Sequence, residues 1–262
     1  MRKQPIGFFD SGVGGTSIWK EVINLLPNES SIYLADSRNA PYGEKSADEI
    51  RALSVKNTEK LLELDCKLIV VACNTATTNA IDYLRSNFKV PFIGIEPAIK
   101  PAALSSKSKS IGILATKGTL SSALFARTSS LYASELNVIE IIGKGLVERI
   151  ENGLINTPET RELLQSYLDP MIAEKIDYLV LGCSHYPYLI PLLKEMLPVD
   201  VQIIDSGRAV AVQTKKILEL NSLINTSAEQ GSHRFYTNAS VDTLANLISD
   251  VDFTKEVEFL DF

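Results

Sequence analysis

The sequence predicts an α/β protein made of two pseudo-symmetric, three-layer αβα domains with mainly parallel sheets and an active site in the cleft between them. Short runs of Ile, Val and Leu alternate with longer helix-like segments. Such runs are typical of parallel strands that are buried on both faces and joined by right-handed crossovers. Three sequence landmarks also recur in the same order in the two halves of the chain.

The individual elements follow from this alternation. Strands are expected at the apolar runs, which are Pro5–Phe9, Ser31–Ala35, Leu68–Ala72, Phe92–Ile95, Ser110–Leu114, Val138–Ile142, Tyr178–Leu181 and Val201–Ile204. Helices are expected in the longer segments between them, including Thr16–Leu26, Ala47–Leu64, Thr77–Phe88, Thr119–Ser134, Glu159–Glu174 and Tyr188–Met196.

The internal repeat divides the chain into two units. The segment IGFFD that begins at Ile6 resembles the segment IGILA that begins at Ile111. The general similarity of all parallel α/β units is the alternative explanation. We expect residues 98–207 to form the second domain. Residues 1–97 are expected to form the first domain together with residues 208–262, which have helical character, include a strand at Arg234–Thr237 and are too few to fold as a separate domain of this class.

Composition excludes several classes of protein. The net charge of −6 argues against a nucleic-acid partner. No apolar run reaches the ~20 residues that cross a bilayer, and the N-terminus lacks the apolar core of a signal peptide. We therefore expect a cytoplasmic protein without a membrane partner. Three cysteines without a CxxC pair fit a reducing compartment. No metal site is expected, because the two histidines, His185 and His233, lie far apart in the sequence.

Two cysteines occupy nearly identical sequence settings. Cys73 ends the run LIVVAC and Cys183 ends the run YLVLGC, and polar residues and a helix-like stretch follow each. Ligands of open α/β sheets bind beyond the carboxyl ends of the strands, so a cleft between the two units would bring both thiols together. A thiol has an ordinary pKa of about 8.5 and can give or take a proton near neutrality. Two thiols on opposite sides of one carbon are the arrangement that a racemase needs.

Alternative roles for these side chains also have to be considered. A single cysteine in such a place is often a small buried apolar residue, and Cys66 is expected to be structural. Each catalytic thiol needs an acid–base partner. Asp10 is the candidate beside Cys73 and His185 is the candidate beside Cys183, although a structural imidazole is the alternative for His185. His233 lies in a polar segment and is expected to be solvated.

Two turn segments add weaker signals. The segment DSGVGGT that begins at Asp10 follows the first strand, and its glycines allow N–H groups to face an anion. Its spacing matches neither the dinucleotide fingerprint nor the Walker A loop, and a plain turn capped by Asp10 or Thr16 is the alternative. In the turn PYG, the Tyr42 hydroxyl and the Gly43 N–H are placed to contact a small polar ligand, or the turn is purely structural.

Together, these segments resemble the glutamate racemases of bacteria, within the aspartate/glutamate racemase family. The matching pieces are residues 9–15, 41–43, 73–76, 182–187 and 205–207, in the order and spacing of the family. The resemblance implies interconversion of L- and D-glutamate without a cofactor, which supplies D-glutamate for peptidoglycan. No segment marks a Schiff-base lysine, so fixed hydrogen-bond donors have to stabilise the carbanion. Dimers are common among relatives, so a homodimer is compatible with this resemblance.

The resemblance also implies residue roles. Cys73 and Cys183 match the two catalytic cysteines, with Cys73 acting on D-glutamate and Cys183 acting on L-glutamate. The acids that assist the thiols match Asp10 and Glu151. The substrate contacts match Asp10, Ser11, Tyr42, Gly43, Asn74, Thr75, Ser184 and His185. Ser184 is a departure, because the family usually has threonine there; the hydroxyl is kept while a methyl group beside Cys183 is lost.

Three rival functions remain at this stage. An aspartate racemase would use the same paired thiols on a shorter substrate. A cysteine hydrolase would use Cys183 with His185 and leave Cys73 idle. An amino-acid-binding module would need neither thiol.

Overall fold

In the described part of the chain, ten parallel strands form two separate sheets. The computed structural model describes residues 2–132 and 135–262. The strands are β1 (Ile6–Asp10), β2 (Ser31–Ala35), β3 (Leu68–Val71), β4 (Phe92–Gly94), β5 (Ser110–Ala115), β6 (Asn137–Ile142), β7 (Tyr178–Gly182), β8 (Gln202–Ile204), β9 (His233–Thr237) and β10 (Lys255–Phe259). Every strand pair that the two sheets contain is parallel.

Helices connect these strands. In the described residues they are α1 (Thr16–Leu25), α2 (Ala47–Glu63), α3 (Asn74–Asn87), α4 (Ile99–Ser105), α5 (Lys117–Leu120), α6 (Ala123–Tyr132), α7 (Leu146–Glu151), α8 (Pro158–Ala173), α9 (Ile190–Met196), α10 (Gly207–Leu220) and α11 (Val241–Leu247). No helix in this part of the chain combines the length and the apolar character that a membrane crossing requires.

The strand order repeats between the two sheets. The first sheet has the order β10-β9-β2-β1-β3-β4 and the second has the order β6-β5-β7-β8. The four strands β2-β1-β3-β4 therefore correspond to β6-β5-β7-β8, which confirms the predicted similarity of the two α/β domains. Cys73 and Cys183 follow the corresponding strands β3 and β7. The C-terminal strands β9 and β10 extend the first sheet through the pairing of β9 with β2.

Each sheet is buried on both faces, as the uninterrupted apolar runs predict. In the first sheet, Phe8 and Val70 pack in one cluster while the adjacent Phe9 and Val71 pack in another. Because successive side chains of a strand point to opposite faces, these clusters lie on the two sides of the sheet. The second sheet also divides its apolar side chains between two clusters. These are the layers of an αβα architecture.

Some elements differ from the expectation. The helix predicted over Thr119–Ser134 is divided into α5 and α6, because Ser122 donates its hydroxyl to the Thr119 carbonyl at 2.7 Å and accepts the Phe125 N–H at 3.2 Å. Residues 133–134 of that prediction lie outside the described residues. The segment predicted as a helix from Tyr188 begins with a 3-10 turn over Tyr186–Leu189.

The expectation that His233 is solvated is wrong. This residue begins β9 and is 1% exposed. Its Nδ1 lies 2.8 Å from the Ser31 hydroxyl, which also accepts the Trp19 indole N–H at 2.8 Å. The polar residues that precede His233 in the sequence conceal a strand whose pairing with β2 buries the imidazole.

Candidate active site

A small pocket at the carboxyl ends of both sheets contains both matched cysteines. All of the sequence-predicted site residues except Asp10 and Glu151 line it, and Pro41, Thr116 and Val147 complete its wall. Its volume is about 10 Å³, which is close to the space of one water molecule. The pocket is therefore closed around the two thiols.

Cys73 is held at the start of α3. Its Sγ accepts the Ala76 N–H at 3.4 Å and donates to the Ser11 hydroxyl at 3.8 Å. Burial raises the pKa of the Cys73 thiol well above its ordinary value, the negative charge of Asp10 adds to this effect, and the Ala76 N–H opposes it. Burial prevails, so Cys73 carries its proton at neutral pH and is poised as a proton donor.

Cys183 has a different partner. Its Sγ lies 3.8 Å from Nδ1 of His185, and Nε2 of the same ring lies 2.6 Å from Oε1 of Glu151. Burial by itself lowers the pKa of His185, but the hydrogen bonds with Cys183 and Glu151 and the charge of Asp10 together raise it well above its ordinary value. The charged imidazole of His185 is therefore the acid–base group nearest the Cys183 sulfur.

Asp10 links the two halves of the site. It is fully buried, and its carboxylate accepts the Gly15 N–H at 2.7 Å and the Ser184 hydroxyl at 3.2 Å. Burial raises the pKa of Asp10, although the positive charge of His185 and the Gly15 N–H oppose this rise. Asp10 thus contacts residues from the Cys183 side, whereas the sequence placed it beside Cys73 alone.

The glycines of the first turn allow side chains from the second half of the chain to approach the backbone. A Cβ atom on Gly12 would overlap the carboxylate of Glu151, and one on Gly14 would overlap the ring of His185. The Val13 N–H donates to Glu151 at 2.7 Å. The anion that this glycine-rich turn receives is therefore a carboxylate of the protein itself, in place of an external phosphate.

Asn74 is the clearest sign of a polar ligand. Its side chain is buried and lines the pocket, yet within the described residues neither Nδ2 nor Oδ1 has a hydrogen-bond partner. Leaving a buried amide unpaired costs about 1–3 kcal/mol for each polar group. A ligand with charged or polar groups would satisfy these atoms.

Threonine hydroxyl groups form a cluster at the pocket. Thr75 Oγ1 lies 2.7 Å from Thr116 Oγ1 and 3.2 Å from Thr119 Oγ1. Tyr42 also lines the pocket, but its hydroxyl donates to Asp36 at 2.5 Å and accepts from Asn57 at 3.0 Å. The tyrosine hydroxyl is thus already paired, in contrast to the ligand contact suggested by the sequence.

Sequence reasoning missed Thr116 and Thr119. Thr116 follows β5 as Ser11 follows β1, so the internal repeat contained the signal for Thr116. No comparable signal exists for Thr119, whose hydroxyl reaches those of Thr75 and Thr116 only through the turn of α5. In the described residues no cluster of His, Cys, Asp and Glu side chains could hold a metal ion.

Comparisons with known proteins point to one family. The family model for Asp/Glu/Hydantoin racemase matches residues 14–214. A glutamate racemase from Ectopseudomonas mendocina is 48% identical over 241 residues, which cover 92% of this chain and 91% of that protein.

Solved structures give the same result. Glutamate racemase isoform RacE1 from Bacillus anthracis has a TM-score of 0.87 at 30% identity, covering 100% of this chain and 99% of that one. Escherichia coli glutamate racemase, solved with L-glutamate and the activator UDP-MurNAc-ala, has a TM-score of 0.85 at 33% identity, covering 96% and 97%. With both thiols in one pocket and these similarities over nearly its whole length, the chain belongs to the Asp/Glu/Hydantoin racemase family and, within it, to the glutamate racemases.

Proposed function

We propose that this protein interconverts L- and D-glutamate with two cysteine bases and no cofactor, and that it supplies D-glutamate for peptidoglycan. The observation that carries this proposal is the pair of matched thiols in a single pocket that also contains the unpaired amide of Asn74. A hydrolase of the Cys183–His185 type would give no role to Cys73, which lies in the same pocket.

The resemblance and the neighbours of each thiol support the direction of the first step. Cys183, beside the charged His185, acts as the base that removes the α-proton of L-glutamate. Cys73 carries its proton and delivers it to the other face of the carbanion. Starting from D-glutamate, the roles of the two thiols reverse.

The remaining side chains bind the substrate and its carbanion. Asn74 and the hydroxyls of Ser11, Thr75 and Ser184, together with backbone N–H groups of the turn at Gly43, are the donors for the two carboxylates. Tyr42 contributes its ring. Donors that are fixed before the reaction stabilise the developing negative charge without reorganisation. Asp10 and His185 are the acid–base groups beside the thiols. Glu151 positions His185 through a hydrogen bond to its Nε2.

The organisation of the chain is part of the proposal. We propose domains of residues 1–97 plus 208–262 and of residues 98–207, because the strands of the two sheets divide at these positions. Three free cysteines support a cytoplasmic location, since a disulfide would remove the reactive thiols. A homodimer is expected by analogy with the family, and sedimentation of the purified protein tests it.

Incubation in D₂O tests the reaction. The purified protein is mixed with L-glutamate without added cofactor, and circular dichroism and α-deuterium are followed together. We expect the optical signal to decay to zero while deuterium enters the α-carbon. A parallel reaction with L-aspartate separates the aspartate racemase alternative. A constant optical signal with no deuterium exchange in either substrate would reject the proposed function.

A further inference from the structure

A two-base racemase has to restore its protons after every turnover. When L-glutamate becomes D-glutamate, Cys183 gains the α-proton and Cys73 loses its own. The next L-glutamate needs the opposite arrangement, so one proton has to leave Cys183 and another has to reach Cys73. Free enzyme performs this exchange between product release and the next binding event.

The two thiols differ in the groups that contact their sulfur atoms. Cys73 is hydrogen-bonded to the Ser11 hydroxyl and the Ala76 N–H, and both of these residues are buried. Cys183 faces Nδ1 of His185 at 3.8 Å, and the opposite ring nitrogen faces Glu151 at 2.6 Å. A charged imidazole can release a proton from one nitrogen, and the neutral ring that results can accept another.

Glu151 carries this chain of contacts out of the pocket. It does not line the pocket of the two thiols, and its side chain is 15% exposed, whereas His185 is 1% exposed. Its Oε2 accepts the Ser37 hydroxyl at 3.1 Å.

Glu151 also lines a second, larger cavity. It has a volume of about 460 Å³, and polar side chains that line it include Ser37, Glu148, Glu151, Ser240 and Thr243. A cavity of this size and polarity accommodates water and small buffer molecules.

We propose that Glu151 and this cavity form the port through which Cys183 exchanges protons with solvent between turnovers; this inference rests on the proposed function. In the L-to-D direction, the charged His185 first releases its Nε2 proton to Glu151, and the carboxyl group passes it to water in the cavity. The neutral ring, once tautomer exchange has moved its remaining proton to Nε2, takes the Cys183 proton at Nδ1, which restores the thiolate and the charged imidazole. Cys73 regains a proton from solvent that enters the pocket when the product leaves. In the D-to-L direction, each transfer reverses.

Steady-state kinetics of Glu151→Gln test the port. The reset of free enzyme limits kcat at high substrate concentration but does not enter kcat/KM. We therefore expect kcat to fall at least about tenfold while kcat/KM stays within about twofold. Formate or imidazole, added at constant pH and ionic strength, should restore kcat in a concentration-dependent manner because both fit the cavity. Glu151→Asp, which keeps the charge but shortens the reach, serves as a second variant with the same expectation.

Glu148→Gln is the matched control. Glu148 lies on the same helix and lines the same cavity, but it is exposed, so its loss should leave both kinetic parameters unchanged. An equal fall in kcat and kcat/KM for the Glu151 variants, without rescue by buffer, would show that Glu151 acts only in the chemical step and would overturn the port. Unchanged kinetics would overturn it as well. Absence of turnover in the unmodified protein would instead reject the proposed function.

Discussion

At the scale of single residues, His233 is a buried imidazole that is kept neutral. Its ring packs edge-on against Trp19, with ring centres 5.2 Å apart, and similarly against Phe253. Burial lowers the pKa of His233 to about 4, and the nearby positive charge of Lys255 contributes to this shift. Within the described residues its Nε2 has no hydrogen-bond partner. Protonation would therefore place an uncompensated charge in the core.

The stability of the fold should consequently depend on pH. In the unfolded chain His233 titrates near its ordinary pKa of about 6.5, so the unfolded state binds a proton between that value and the folded pKa. The contribution of the neutral His233 to the free energy of unfolding is complete above about pH 6.5. It declines as the pH falls, by up to about 3 kcal/mol. Urea unfolding at several pH values, followed by the fluorescence of the single tryptophan, Trp19, measures this effect. His233→Gln should flatten the pH dependence, and an equally steep dependence in that variant would assign it to other groups.

The two matched cysteines should be individually indispensable. Each direction needs one thiol to remove a proton and the other to supply one, and a serine hydroxyl is too weak an acid for either task. Cys73→Ser and Cys183→Ser are expected to abolish racemisation of both enantiomers, as measured by circular dichroism. Cys66→Ala is the control, because Cys66 is buried beside Gly7 with a pKa raised by burial to about 12. Ordinary turnover by either serine variant would reject the two-base scheme.

The sequence revealed these cysteines because their settings are duplicated. Glu151 was accessible only by resemblance, since its charge on a short helix looks like that of any solvated side chain. Its contact with Val13 joins positions 138 residues apart. Nothing local in the sequence encodes such a pairing. The mistaken reading of His233 has the same cause, because its burial results from the pairing of distant strands.

At the scale of elements, the turn between β1 and α1 depends on close packing. Gly14→Ala should displace His185, because the added methyl group overlaps the imidazole and the backbone of that residue. Displacements of about 1 Å in an active site reduce rates by about a hundredfold, so we expect kcat to fall by roughly this factor. The rate of racemisation measures this loss.

Gly153→Ala is a control that should lower stability without lowering activity. Gly153 has φ of +71° and no atoms within 4 Å of an added Cβ. It should lose about 1 kcal/mol of stability through backbone strain while its activity persists. Equal activity of the Gly14 variant and the unmodified protein would show that the turn tolerates repacking.

Apolar runs predicted the buried strands well, whereas polar elements escaped prediction. Strand β10 has the sequence KEVEF, in which charged residues alternate with apolar ones, and it occupies the edge of the first sheet. Edge strands often carry charge, which discourages pairing with other chains, and this hides them from a search for apolar runs. The division between α5 and α6 depends on hydrogen bonds of Ser122, which a periodicity search does not detect.

At the scale of the whole molecule, contacts between the two halves hold the pocket closed. Thr16 and Tyr188 share a hydrogen bond of 2.5 Å, and the Ser17 hydroxyl donates to the Ser184 carbonyl at 2.8 Å. The pocket between the thiols, at about 10 Å³, is far smaller than glutamate. The two domains therefore have to separate before the substrate can bind.

Alkylation should detect this separation. Iodoacetamide is expected to modify Cys73 and Cys183 in the folded protein, since opening exposes both, and glutamate should suppress the modification by holding the domains closed. Cys66, which lies in the core of the first domain with Leu61, should react only in denaturant. Mass spectrometry of the three cysteine peptides reads out the result. Equal reactivity of Cys66 and the matched cysteines would indicate global unfolding rather than domain opening.

The shared strand order of the two halves points to the ancestry of the protein. Duplication and fusion of a gene for one four-stranded unit with a single cysteine would place an equivalent thiol on each side of a common cleft. Enantiomers are mirror images, so an enzyme that interconverts them requires equivalent chemistry on both faces of one carbon. Copying a unit supplies that equivalence in a single genetic event. Asp10 in one half and His185 in the other would then record how the two copies diverged.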